Sequence, residues 1–78
     1  MKYHRITFGE RVRELRESGN WTQTELAERA EMSRSYLSLI ERDEAQSISL
    51  SVFLRMGVAL EIGALEFLEM YLEVTDET

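Results

Sequence analysis

Apolar residues recur along this chain at helical spacing, and alternation with a period of two is nowhere sustained. Phe8, Val12 and Leu15 fall at i, i+4 and i+7 with Glu10, Arg11, Arg13, Glu14 and Glu17 opposite, which predicts a first helix over about 8–18. Gly19-Asn20 ends it, because both residues tolerate left-handed backbone. Thr22 and Glu25 have the spacing of a capping box, and Trp21 and Leu26 that of a hydrophobic staple. A short second helix is therefore predicted over about 23–30. Ser33 is the next N-cap candidate and starts a third helix over 34–42. Leu37 and Ile40 point inward there with Tyr36 beside them, leaving Arg34, Ser35, Ser38 and Leu39 outside. After a polar loop, Ser49 caps a fourth helix to about Leu60, with Leu50, Phe53, Leu54 and Met56 as core candidates. Gly57 within it costs roughly 1 kcal/mol against alanine and offers room for close packing.

A fifth helix is predicted over about 64–74. Glu66, Glu69 and Glu73 form one charged stripe at i, i+3 and i+7, and nearly everything else is apolar. A core this small cannot cover so wide a surface. With Leu65 and Leu68 turned inward, Phe67, Met70, Tyr71 and Val74 are left as a patch of the kind that marks an interface. A symmetric homodimer is the commonest closed solution, so 64–74 is the expected dimerisation helix.

Composition narrows the class. At 78 residues there is room for one domain, 1–78, and a domain that small buries only about 60% of the surface its unfolded chain exposes. There is no cysteine, which removes disulfides and suits a reducing compartment. His4 is the only histidine and no ligand cluster accompanies it, so no metal is expected. A partner subunit remains as the source of extra stability. No apolar run reaches about 18 residues and the N-terminus lacks a signal peptide's apolar centre, so a cytoplasmic, non-membrane protein is expected. With no histidine paired to a nucleophile, no phosphate-cradling glycine loop and little room for a pocket, neither an enzyme nor a cofactor is expected.

Net charge is −6, which argues against a nucleic-acid partner until its distribution is considered. All nine basic residues and nine acidic ones lie in 1–55, so that stretch is neutral. Residues 56–78 hold Glu61, Glu66, Glu69, Glu73, Asp76 and Glu77 and no Lys or Arg. Local potential governs partner choice, and the first two-thirds are free to present a positive face.

Two short helices joined by three or four residues, over about 22–42 and behind one amphipathic helix, form a helix-turn-helix. The stretch from Arg16 to Ala27 (RESGNWTQTELA) and that from Met32 to Arg42 (MSRSYLSLIER) resemble the phage repressor and Cro, or XRE-type, family. Ser49-Leu50 with Leu54, Met56 and Leu60 resembles its fourth helix, and the last two helices look like those of restriction–modification controller proteins. The resemblance covers residues 8 to about 68. It implies an all-α, five-helix, lambda-repressor-like domain, and a transcription regulator that binds a pseudo-palindromic operator in double-stranded DNA as a homodimer. Helix-turn-helix antitoxins are also similar, which leaves a toxin or other protein partner as the alternative. A third possibility is a protein-binding module that has given up DNA.

Residue by residue, the resemblance implies that Gln23 contacts phosphate and braces the start of the recognition helix. It implies that Arg34, Ser35, Ser38 and Leu39 face base edges, with Ser33 at the helix start beside them, and that Arg42 contacts phosphate. Arg16 and Glu41 match a buried ion pair. Chemistry agrees: Arg34 suits guanine O6 and N7, and Leu39 suits a thymine methyl. Ser35 and Ser38 fit solvent exposure as well as DNA, and Leu39 fits packing against a partner. Lys2, His4 and Arg5 make either a basic arm or a frayed end. Asp43-Glu44 stands where the family usually has glycine and basic or polar residues, and acids there would repel phosphate.

Overall fold

The computed structural model describes residues 6–75, with side chains described as far as Leu72. Its helices are α1 (Phe8–Ser18), α2 (Gln23–Arg29), α3 (Arg34–Glu41), α4 (Leu50–Ala59) and α5 (Ala64–Thr75). No strand occurs among the described residues. Lys2, His4 and Arg5 lie outside them.

The first four helices begin on a side-chain hydroxyl. Thr7, Thr22, Ser33 and Ser49 accept the backbone N–H of Glu10, Glu25, Tyr36 and Val52, respectively. Glu10 and Glu25 reach back to complete two capping boxes, the first of which leaves a plain sequence signal at Thr7. The helix ends follow a different rule. Asn20, Glu31, Asp43 and Glu61, one in each connection, have φ of 62°, 58°, 60° and 65°. Left-handed backbone costs an L-residue about 1–2 kcal/mol; Asn20 and Asp43 are of the types that visit it most readily, and Glu31 and Glu61 are not.

Phe8, Val12, Leu26, Leu37, Ile40, Phe53, Met56 and Phe67 fill the interior. Phe67 lies between Phe53, with ring centroids 4.6 Å apart, and Phe8, at 5.5 Å. Tyr71 meets Phe8 edge-on at 4.9 Å. This aromatic cluster fastens α5 across α1 and α4. Close approach is possible because a Cβ on Gly57 would stand only 3.1 Å from Phe67 Cβ and 3.2 Å from the Gly63 carbonyl oxygen.

Those contacts correct the expected orientation of α5. Phe67 is fully buried, and Met70 and Tyr71 pack half-buried against the core, so these three are not an exposed patch. Val74 lies beyond the described side chains. Leu65 and Leu68, expected inside, are exposed, as is Leu72. On α4, Phe53 and Met56 are in the core as expected, whereas Leu50 and Leu54 are exposed along with Val58. The cause is shape: the rings of Phe67 and Tyr71 fill the space beside Phe8 and Phe53, and burying a ring removes more apolar area than burying a leucine.

Two arginines join the helix-turn-helix to the rest of the bundle. Arg29 of α2 donates to the Ala59 carbonyl at the end of α4, at 3.1 Å. Arg55 of α4 donates to the Ala30 carbonyl at the end of α2, at 2.9 Å. Each satisfies a carbonyl that the end of the other helix leaves without an intrahelical donor. Arg29 also lies 4.5 Å from the Trp21 ring centroid.

Candidate nucleic-acid interface

The outer side of α3 carries Ser33, Arg34 and Ser35, all exposed, then Ser38 and Leu39, both half-buried, then exposed Arg42. Ser33 Oγ is spent on the Tyr36 N–H, which fixes the first turn. Tyr36 donates its hydroxyl to the Ser47 carbonyl at 3.0 Å and ties the following loop to the helix. Arg42 turns back along α3, its Nε 3.3 Å from the Ser38 carbonyl oxygen.

Behind this surface the Glu41 side chain is only 4% exposed. Its carboxylate accepts Arg16 Nε at 2.7 Å and Arg16 Nη2 at 3.1 Å, a two-point pair between α1 and α3. Arg16 Nη1 donates to the Trp21 carbonyl at 2.8 Å and so holds the entry to α2. The hydrogen bond to Glu41 raises the guanidinium above its usual range, against the pull of burial, so Arg16 stays charged. A third donor reaches the same carboxylate: Gln23 Nε2, 3.1 Å from Glu41 Oε1. The other end of that amide accepts Arg34 Nη1 at 3.2 Å. Arg16, Glu41, Gln23 and Arg34 thus form one chain of hydrogen bonds from the interior to the surface.

Gln23, Ser38 and Arg42 meet around a shallow hollow of about 210 Å³, where Arg13 joins them. In the sequence Arg13 is one of several charges on the polar face of α1. Its place three residues before Arg16 was the available signal, since i and i+3 share a helix face. Arg13 is exposed and pairs with Glu17 at 3.2 Å.

The two acids after α3 have separate roles. Asp43 is exposed but engaged: its Oδ1 accepts the Gly9 N–H at 2.9 Å, and its Oδ2 accepts the Thr7 hydroxyl. It therefore caps the start of α1, where a negative charge is favourable. Glu44 is exposed and pairs with Arg42 at 3.1 Å. Asp43 is thus engaged by the start of α1, and Glu44 is partly neutralised by Arg42.

Among the described residues no group of three or more His, Cys, Asp or Glu side chains could hold a metal ion. Among the described residues no helix is long and apolar enough to cross a membrane.

A family model described as a helix-turn-helix domain matches residues 7–69. The immunity repressor protein of Bacillus phage phi105 is 50% identical over 38 residues, which is 49% of this chain and 26% of the repressor. The chain thus spans about a quarter of the length of that curated relative. The restriction–modification controller protein C.AhdI from Aeromonas hydrophila has a similar structure, with a TM-score of 0.71 and 37% identity over 77% of this chain and 89% of that one. SinR of Bacillus subtilis, a master regulator for biofilm formation solved in complex with DNA, has a TM-score of 0.71 and 29% identity over 80% of this chain and 98% of its own.

Proposed function

The chain belongs to the XRE-type helix-turn-helix family, and on that premise we propose that it is a DNA-binding regulator, not an enzyme, and reads a pseudo-palindromic operator as a homodimer. The observation that carries this reading is Arg34: an exposed arginine at the first turn of α3, its guanidinium held in place by Gln23. In the major groove, α3 would present Arg34 to guanine, Ser33, Ser35 and Ser38 to whatever polar edge lies near, and Leu39 to a thymine methyl. Gln23 and Arg42, which line one hollow beside α3, would meet phosphates on that flank and fix the register of the helix. Support also comes from SinR, a structural neighbour solved on DNA.

The dimer is argued from the face that packing leaves uncovered. Leu50, Leu54 and Val58 repeat at i, i+4 and i+8 along α4, and Leu65 and Leu68 are exposed on α5. Leu50 and Leu68 line one groove together with Ile48, Phe53 and Tyr71, so the uncovered residues of α4 and α5 meet there. A two-fold pairing of this face would set two recognition helices about 34 Å apart, one turn of DNA.

Titrating duplex DNA with the protein at increasing salt tests the reading. Counterion release predicts that log K falls linearly with log salt. Absence of binding, or binding indifferent to salt, would leave the family fold without the proposed activity.

A further inference from the structure

The Arg16–Glu41 pair looks purely structural, but its third partner gives it a second consequence. An ionised carboxylate only accepts hydrogen bonds and a guanidinium only donates them. Gln23 lies between one of each, with Nε2 on Glu41 and Oε1 on Arg34. Rotating the amide by half a turn would set its oxygen against the carboxylate and its NH2 against the guanidinium, two repulsions at once. The buried charge therefore dictates which atom Gln23 offers to its outer neighbour, and that atom is an acceptor. It engages Nη1 of Arg34 and leaves the Nε–Nη2 edge for another ligand. That edge is the one Arg16 itself uses to grip Glu41 in two-point fashion.

Resting on the reading of α3 as a base-reading helix, we propose that Glu41 is a positioning residue for base discrimination: through the Gln23 amide it orients the guanidinium of Arg34 before DNA arrives. Arg34 is exposed and long, and without the bracket its rotamers would have to be frozen during binding. Glu41 never touches DNA in this scheme. Its signature is a change of preference at one base pair.

The test uses four duplexes that differ only at the base pair whose identity ceases to matter in Arg34→Ala. The wild-type chain is expected to prefer the best base there by about tenfold, within the range for a two-point arginine–guanine contact. Gln23→Met and Glu41→Gln should each reduce that ratio to about twofold while preferences at other positions hold. Arg16→Lys supplies the control: it should lower the melting temperature and keep the tenfold ratio. In the Arg34→Ala background, Gln23→Met should weaken all four duplexes alike, through the lost phosphate contact, and alter no base preference. If Glu41→Gln does not fold, Gln23→Met decides alone. Unchanged discrimination in Gln23→Met or in a folded Glu41→Gln, equal flattening by Arg16→Lys, or a change in preference among the four duplexes caused by Gln23→Met in the Arg34→Ala background would overturn the proposal. Failure of the proposed function would look different. In that case the wild-type chain would discriminate among none of the duplexes, and the proposal would fall with it.

Discussion

Asp43, beyond the end of α3, accepts the backbone N–H of Gly9 at the start of α1, at 2.9 Å. The contact exists because the two segments nearly touch. A Cβ on Gly9 would stand 2.4 Å from the Ile40 carbonyl oxygen and 2.6 Å from that of Glu41. Both are backbone atoms, so no rotamer change relieves the clash. Gly9→Ala should therefore destabilise the fold by about 1–3 kcal/mol, the usual cost of overpacking. Asp43→Ala should cost about 1 kcal/mol through the lost cap. Thermal or urea melts measure both, and a Gly9→Ala protein as stable as wild type would contradict the geometry.

Residue 67 and residues 65 and 68 should behave as opposites. Phe67→Ala removes a fully buried ring and should cost about 3–5 kcal/mol, enough to unfold a domain this small. Leu65→Asp and Leu68→Asp should leave the helical circular dichroism intact and convert a dimer to a monomer in analytical ultracentrifugation. A wild-type chain that sediments as a monomer at micromolar concentration would exclude the homodimer. A mixed complex with another protein would favour the antitoxin reading of the same face.

Much of this architecture is legible in the sequence, and the parts that are not share a cause. The helix starts are written locally, in Thr22-x-x-Glu25, Ser33 and Ser49, so the structure places them where the pattern does. The buried face of α5 is not local. With acids on one stripe only, the helix is apolar around most of its circumference, and periodicity cannot choose between the Phe67–Tyr71 side and the Leu65–Leu68 side. The choice is made by Phe8, Phe53 and Gly57, far away in the chain. Asp43 is similar: beside Glu44 it reads as a charge near phosphate, and only the folded chain brings Gly9 to it. The Arg16–Glu41 contact was accessible through family resemblance, whereas the bond from Gln23 to Glu41 depends on how α2 leans on α3.

Glu44 holds Arg42 in an exposed pair, both side chains being more than half exposed. Such a pair is worth little to stability, about 0–1 kcal/mol. Its removal should matter more to DNA than to folding. Glu44→Gln should tighten binding to every duplex several-fold at low salt by freeing Arg42 and deleting a negative charge. The gain should fade as salt rises, because exposed charges are screened within about 10 Å at 0.1 M. Weaker or unchanged binding at low salt would place Arg42 away from phosphate.

Arg34 and Arg42 should be separable by kind of effect. Arg34→Ala should cost about 1–3 kcal/mol on the best site and relax preference at one base pair. Arg42→Ala should weaken binding to all sequences alike and reduce the salt slope by about one unit. Competition titrations against single-base variants give both quantities.

The most direct measurement is selection of bound duplexes from a random pool, with wild-type protein and Arg34→Ala in parallel. The wild-type chain should recover an inverted repeat with half-site centres about 10 base pairs apart, and Arg34→Ala should lose one symmetric pair of positions from it. A wild-type pool with no enriched sequence, or a motif that survives Arg34→Ala unchanged, would show that α3 does not read bases.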